Sequence, residues 1–175
     1  MSGKKLRVAL LAGGKSAERE VSLKSGEQVF QALDKDRYEV FRYDPRDDLP
    51  RLAQDAAGID VALIILHGRM GEDGTIQGFL ESLGIPYQGS GVLGSALAIN
   101  KILSKERYEQ AGLPVAPYAV LERGAPVGLE DVVQRLGLPL VIKPEHEGSS
   151  IGLSIVKSGK DLPRSKAYIP MIKHG

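Results

Sequence analysis

The chain has 175 residues, 42% of them hydrophobic and 26% charged, which is an ordinary composition for a globular protein. Its 23 basic and 22 acidic side chains leave a net charge of +1, so it has no strong positive field to hold a nucleic acid or an anionic membrane. The absence of cysteine excludes a disulfide framework, a thiolate metal site and a cysteine nucleophile. It is compatible with the reducing cytoplasm, where we expect the protein. The first apolar run, residues 8–12, is too short for a signal peptide or a membrane span.

Apolar runs in the first third of the chain predict three parallel strands, at residues 8–12, 38–43 and 60–66. The third run is the most continuous, so we predict that it is the most buried strand. Gly13 and Gly14 follow the first strand. The helix predicted after them has one apolar stripe, formed by Leu23, Phe30 and Leu33. A strand, a glycine turn and a helix open an α/β unit of the nucleotide-binding type, although neither the dinucleotide fingerprint nor the P-loop spacing is present.

A polar loop, HGRMGEDGT at residues 67–75, follows the third predicted strand. Ligands bind beyond the carboxyl ends of strands in open α/β sheets, so this loop is a candidate site. His67 alone is more simply a structural histidine, and Asp73 or Thr75 more simply caps the next helix. That helix is predicted from an apolar stripe formed by Ile76, Phe79, Leu80 and Leu83.

A Gly-aliphatic-Pro phrase occurs three times, at residues 84–86, 112–114 and 137–139. Glycine is favoured in the left-handed conformation that ends a helix, and proline prevents the helix from continuing. We therefore predict a helix end at each phrase, followed by a strand. The helix before the third phrase is predicted from Leu129, Val132, Val133 and Leu136.

The pattern changes in a turn-rich segment around residues 87–98, after which we expect shorter and more polar strands. We predict two domains, at 1–95 and 96–175. Asn100 is suited to cap the next helix and would place Lys101 in its first turn. A cation there is unfavourable against the helix dipole unless an anion lies nearby, although an ordinary solvated lysine is the simpler interpretation.

Residues 140–153, LVIKPEHEGSSIGL, read as two apolar strands joined by a polar loop. Lys143 stands at the end of the first strand as a point charge. Gly148, Ser149 and Ser150 offer backbone N–H groups and hydroxyls that can surround an anion. The loop is a candidate phosphate site, whereas a Gly-Ser-Ser turn considered alone is more often only a turn.

Four segments together closely resemble the D-alanine–D-alanine ligases of the ATP-grasp superfamily, in the same order and spacing: residues 13–26, 66–81, 89–101 and 142–152. The resemblance implies an α/β chain with a parallel-sheet pre-ATP-grasp domain, followed by a truncated α+β ATP-grasp lobe. It also implies ligation of two D-alanines for peptidoglycan synthesis. In that reaction ATP, with Mg²⁺, phosphorylates one D-alanine carboxylate, and the amine of the second D-alanine attacks the acyl phosphate.

The same resemblance assigns D-alanine-binding residues. Glu18 matches the carboxylate that holds the ammonium of the first D-alanine, and a carboxylate beyond a strand end is a natural partner for an ammonium. His67 and Glu72 match the loop that lines this subsite. Ser149 matches the serine that links to the glutamate across the site, so Glu18 and Ser149 are the expected catalytic residues.

The ATP-binding residues implied by the resemblance lie in the second half of the chain. Lys101 and Lys143 match the lysines that grip the phosphates of ATP, which would supply the anion missing beside Lys101. Gly148, Ser149 and Ser150 match the loop that folds over the triphosphate. No metal ligand is assigned, because the Mg²⁺ ligands are expected in a third domain.

The resemblance ends near Val156, and basic residues outnumber the single acid in residues 157–175, which we expect to be atypical and disordered. Without the third domain we expect a very poor ligase that packs poorly after about residue 140 and tends to associate. A homodimer through the N-terminal domain is also expected. Two alternatives stay open: a non-catalytic substrate-binding or dimerisation fragment of such a ligase, and a related ATP-grasp ligase that uses D-lactate or D-serine.

Overall fold

A computed structural model describes residues 4–121 and 129–161. The described residues form two compact units that divide between Ile99 and Asn100. The predicted domains, at 1–95 and 96–175, put the boundary a few residues earlier. Most of the atypical segment predicted at 157–175 lies outside the described residues, from residue 162 onwards.

The first unit is built on a parallel sheet. Its elements are β1 Leu6–Leu11, α1 Arg19–Ala32, β2 Tyr38–Tyr43, α2 Leu49–Asp55, β3 Val61–Ile64, α3 Thr75–Ser82 and α4 Val92–Ile99. Strand β1 pairs in parallel with both of the others, which gives the order β2-β1-β3. An isolated parallel bridge joins Ala62 of β3 to Tyr87. The predicted α/β class is confirmed.

Strand β1 is the most buried of the three, because it has a neighbour on both edges. Its residues Val8 to Leu11 are at most 1% exposed, whereas three of the four residues of β3 are only partly buried. The prediction that the third strand is the most buried is therefore wrong. An apolar run indicates that a strand is covered, but it does not indicate the strand's position within the sheet.

Helix α1 approaches the sheet through small residues. A Cβ built on Gly26 would lie well under 3.0 Å from the Cβ of Ala12, so only a glycine fits at that contact. Ser22 is fully buried; its Oγ accepts a hydrogen bond from Gly13 N (2.8 Å) and donates one to Ile65 O (2.5 Å). The apolar stripe predicted for this helix is only partly buried: Leu23, Phe30 and Leu33.

The second unit contains the helices α5 Lys101–Gln110 and α6 Leu129–Leu136 and the strands β4 Leu140–Ile142 and β5 Ser154–Val156. The two strands pair antiparallel, with Leu140 opposite Val156, and this confirms the predicted hairpin. Val132 and Val156 are the buried apolar side chains among the described residues of this unit. The side chain of Leu129, part of the predicted α6 stripe, lies outside the described part of the chain.

The three helix ends predicted from the Gly-aliphatic-Pro phrases are confirmed. Gly84, Gly112 and Gly137 follow α3, α5 and α6 with φ of 68°, 71° and 78°. A strand follows only the third phrase. The first leads to the bridge at Tyr87, and residues 113–121 contain no strand. Helix α4 was not predicted, because turn-forming residues dominate the start of its segment.

Candidate functional site

Glu18 lies beyond the end of β1, directly before α1, and is only 5% exposed. Its Oε2 is buried and has no hydrogen-bond partner among the described residues. A Cβ built on Gly68 would lie under 3.0 Å from this oxygen, so the carboxylate packs against the loop that follows β3. A buried carboxylate oxygen without a partner is costly, and a ligand with several N–H donors would satisfy it.

The loop after β3 is held by its own acidic side chains. Glu72 accepts a hydrogen bond from Gly68 N (2.8 Å), and Asp73 accepts from Met70 N (2.8 Å) and Thr75 N (3.0 Å). His67 Nε2 is buried without a partner in the described chain. Glu18, His67 and Glu72 therefore lie on two loops that meet at Gly68.

Neither Asp73 nor Thr75, the predicted caps, stands at the N-cap position of α3. The N-cap position is Gly74, with φ of 90°, and it provides no side-chain cap. Asp73 instead accepts the first helical N–H, that of Thr75. Burial would raise the pKa of Asp73, but the bonds from Met70 and Thr75 lower it.

Asp44 and Arg19 hold the glycine turn next to Glu18, and neither was predicted from the sequence. Asp44 Oδ1 accepts from Gly14 N (2.9 Å), Arg19 Nη2 lies 2.6 Å from Asp44 Oδ2, and Arg19 Nη1 donates to Gly14 O (2.9 Å). Burial would raise the pKa of Asp44, but the hydrogen bonds from Arg19, Gly14 N and Arg46 N lower it to about 2. The strand-end rule could have indicated Asp44, which directly follows β2.

An open cavity of about 530 Å³ lies beside the same loop. Its polar lining residues include His67, Glu72, Gln77, Gln88, Ser90 and Ser95. Gln77 is buried; its Nε2 donates to Gly71 O (2.8 Å), while its Oε1 has no partner in the described residues.

In the second unit, the loop between β4 and β5 contains two consecutive tight turns. Ile151 N donates to Gly148 O (2.9 Å) and Leu153 N donates to Ser150 O (3.1 Å). Ser149 and Ser150 are exposed and left-handed, with φ of 45° and 62°. Such conformations are uncommon without glycine, and successive N–H groups in a turn of this kind can form an anion-binding concavity.

Lys101 is the first residue of α5, and its Nζ donates to Glu147 O (2.5 Å) and Glu145 O (3.3 Å) of the same loop. Burial lowers the pKa of Lys101, and the positive charge of Lys143 lowers it further. A bound anion would oppose both effects. The predicted cap is confirmed, because the Asn100 side chain accepts from Ile102 N and Leu103 N.

The candidate residues thus form two groups. Glu18, His67 and Glu72 lie in the first unit. The second unit holds Lys101, Lys143, Gly148, Ser149 and Ser150. The link between Ser149 and Glu18 stays a prediction. The described residues contain neither a helix long and apolar enough to cross a membrane nor a group of three acidic, histidine or cysteine side chains suited to a metal ion.

A parallel-sheet unit followed by a unit with an antiparallel β4–β5 hairpin agrees with a pre-ATP-grasp domain followed by an α+β ATP-grasp lobe. The family model described as D-ala D-ala ligase N-terminus matches residues 7–48 and 45–90. The model described as D-ala D-ala ligase C-terminus matches residues 107–170, beyond Val156, where the resemblance seen in the sequence ended. The chain belongs to the D-alanine–D-alanine ligase family.

Individual relatives agree with this assignment. A D-alanine–D-alanine ligase of Syntrophobacter fumaroxidans is 75% identical over 162 residues, which cover 93% of this chain and 52% of the relative. The ligase of Geobacter sulfurreducens is 53% identical over 160 residues, covering 91% and 50%. The chain spans about half the length of the curated relatives it matches.

Solved structures show the same fold. The crystal structure of a D-alanine–D-alanine ligase from Bacillus anthracis matches with a TM-score of 0.82 and 36% identity, over 94% of this chain and 53% of that one. A crystal structure of the ligase from the same organism, complexed with ATP, matches with a TM-score of 0.80 and 34% identity, over 94% and 55%.

Proposed function

We propose that the protein to which this chain belongs ligates two D-alanines to D-alanyl-D-alanine through an acyl phosphate, with ATP, for peptidoglycan synthesis. The relatives named above carry this activity in their names. The observation that carries the proposal is the buried Glu18 oxygen without a hydrogen-bond partner in the described chain. We further propose that the protein is cytoplasmic and forms a homodimer through its N-terminal domain.

In this proposal Glu18 binds the ammonium of the first D-alanine. An ammonium carries three N–H donors and a positive charge, so it offsets the cost of burying the carboxylate. His67 Nε2, also buried and without a partner among the described residues, supplies a second polar group in the loop that meets Glu18 at Gly68. Glu72 accepts a hydrogen bond from Gly68 N and so stabilises this loop, and we assign Glu72 to the same subsite.

Lys101 and Lys143 hold the phosphates of ATP, together with the loop of Gly148, Ser149 and Ser150. ATP supplies the phosphoryl group that activates the carboxylate of the first D-alanine. The two lysines offer the positive charge that phosphoryl transfer requires, and the left-handed serines offer backbone N–H donors. The described residues contain no group of three acidic, histidine or cysteine side chains suited to a metal ion, and no step is assigned to Mg²⁺.

D-Alanine binding to the 175-residue chain, measured by isothermal titration calorimetry, tests the assignment of Glu18. Glu18→Gln removes the charge but keeps the shape, and we expect it to weaken D-alanine binding at least about tenfold. Glu20→Gln, an exposed neighbour, is the matched control and should leave the affinity unchanged. D-Lactate lacks the ammonium, so binding of D-lactate as tight as that of D-alanine would contradict the proposal.

Release of ADP, measured with ATP, Mg²⁺ and D-alanine, tests the reaction itself. ADP that appears only with D-alanine and is lost in Lys143→Ala supports ligation by this chain. Binding of D-alanine without ADP release favours the alternative of a non-catalytic substrate-binding fragment.

A further inference from the structure

The start of α5 is joined to the β4–β5 loop by a hydrogen bond for which the proposed function provides no role. Asn100 Nδ2 donates to Glu145 Oε1 at 2.6 Å, across 45 positions of the sequence. Asn100 is 9% exposed and the Glu145 side chain 17% exposed, so water competes little for this bond. A hydrogen bond to a carboxylate in such surroundings is among the stronger kinds found in proteins.

Asn100 serves the helix and the loop at the same time. Its Oδ1 accepts from Ile102 N (3.0 Å) and Leu103 N (2.9 Å), which caps α5. Its Nδ2 reaches Glu145 and also lies 3.2 Å from His146 Nε2. One amide therefore orients the first turn of α5 and the loop relative to each other.

His146 completes the cluster. Its Nε2 lies 3.2 Å from Asn100 Nδ2, and its Nδ1 lies 3.7 Å from Glu145 Oε2. Glu145 therefore has a hydrogen bond from Asn100 at Oε1 and the His146 ring near Oε2.

The position of the loop affects Lys101, which is hydrogen-bonded to it. Its backbone N–H donates to Glu145 O (3.2 Å), and its ammonium uses two of three donors on Glu145 O and Glu147 O. The third donor has no partner among the described residues and lies beside the charge of Lys143. The direction of that donor depends on where Glu145 holds the loop.

We propose that Asn100 and Glu145 are positioning residues, whose hydrogen bond holds the loop against the first turn of α5 and so directs Lys101 and Lys143 toward one polyphosphate. This inference rests on the proposed ATP-dependent function. The bond to Glu145 can be tested separately from the helix cap, because a residue at position 100 can lose its N–H donor and still cap α5 through its oxygen.

The variants are Asn100→Asp, Glu145→Gln and the double variant. Asn100→Asp keeps the capping oxygen but places two carboxylates against each other. Glu145→Gln keeps the accepting oxygen. The double variant has the net charge of the unmodified chain and restores the bond with its direction reversed, since the amide introduced at position 145 donates to the carboxylate introduced at position 100. Glu109→Gln, on the exposed surface of α5, controls for the loss of one charge.

The first readout is amide hydrogen exchange of the ligand-free 175-residue chain. In Asn100→Asp we expect exchange to be at least about tenfold faster at Lys101 N, whose acceptor is Glu145 O, and unchanged at Ile102 N and Leu103 N, which the side chain still caps. The double variant should return Lys101 N to the rate of the unmodified chain. An unchanged Lys101 amide in Asn100→Asp would overturn the inference.

The second readout is the affinity for ATP with Mg²⁺, by calorimetry. We expect a loss of about tenfold or more in Asn100→Asp, about threefold in Glu145→Gln, and recovery in the double variant to within about threefold of the unmodified chain. A double variant as weak as Asn100→Asp would overturn the positioning role. Failure of the unmodified chain to bind ATP would instead contradict the ATP-binding role proposed for Lys101, Lys143 and the loop, while the exchange result would still decide whether the Asn100–Glu145 bond holds the loop.

Discussion

Gly68 is the residue at which the two loops of the candidate D-alanine site meet. It has φ of 65°, and a Cβ would lie under 3.0 Å from Glu18 Oε2. We expect Gly68→Ala to cost about 1–2 kcal/mol for the left-handed backbone and at least about 1 kcal/mol more for the contact with Glu18. Urea unfolding measures this cost.

Gly84→Ala is the matched control for that variant. Gly84 has nearly the same φ, 68°, but a Cβ would meet nothing within 4 Å, so only the backbone cost applies. D-Alanine binding should fall in Gly68→Ala and be unaffected in Gly84→Ala. Equal losses of stability in the two variants would mean that Gly68 does not position Glu18.

Asp44 predicts a dependence of stability on pH. Its pKa in the folded chain is about 2, below the ordinary value of 3.8, so its charge stabilises the folded state above about pH 4. This contribution, about 2 kcal/mol, is lost as the pH falls from about 4 to 2. Asp44→Asn removes it, so the variant should lose less stability than the unmodified chain over that range, as measured by urea unfolding. Parallel pH profiles of the two proteins would show that the Arg19–Asp44 pair contributes nothing.

Sequence patterns predicted the candidate binding residues that follow β1 and β3. They did not predict the residues that hold the glycine turn next to Glu18. Glu18, His67 and Glu72 were recognised from long motifs, and the structure brings them onto two neighbouring loops. Arg19 lies in the 13–26 segment and Asp44 follows β2, but neither was singled out, because their ion pair joins positions 25 apart. The distance in sequence hides a contact that parallel pairing of β1 and β2 creates.

At the scale of elements, the contact between α1 and the sheet depends on Gly26. We expect Gly26→Ala to destabilise the chain by at least about 1 kcal/mol, because its Cβ would lie under 3.0 Å from Ala12 Cβ, and this outweighs the gain in helix propensity. Gly78→Ala, also within a helix, meets only an ordinary contact, Val92 Cγ2 at 3.6 Å, and should stabilise by about 0.5–1 kcal/mol. Thermal unfolding of both variants tests this difference in sign. Stabilisation in both variants would show that α1 can move away from Ala12 without a loss of stability.

The order of the strands in the sheet also depends on how the elements are connected. The runs of β1 and β3 are similarly apolar, yet only β1 is paired on both edges by strands. Local composition predicted that both would be covered. Which of the two lies in the centre depends on how the helices between the strands return the chain to the sheet.

At the scale of the whole molecule, buried apolar side chains are distributed unevenly between the two units. In the described residues, those of β1 form part of a large cluster in the first unit, whereas the second unit buries Val132 and Val156. We therefore expect the free energy of unfolding to be higher for the first unit than for the second.

Hydrogen exchange of the intact chain checks this expectation. Amides of Ala9, Leu10 and Leu11 should exchange at least about a hundredfold more slowly than those of β4 and β5. Strong protection through residues 153–156, equal to that of β1, would contradict it. It would also contradict the prediction of poor packing after about residue 140.

The amino-acid sequence by itself determined the features that depend on near neighbours. These are the positions of β1 and β2, the glycine ends of α3, α5 and α6, the Asn100 cap and the β4–β5 hairpin. Short-range periodicity, φ preferences and capping act within a few residues, so a sequence displays them directly. Only the tertiary structure decided which strand is central, how closely Gly26 approaches Ala12, and which polar side chains hold the sites. The Asn100–Glu145 bond spans 45 positions, and such a contact exists only once the chain has brought distant residues together.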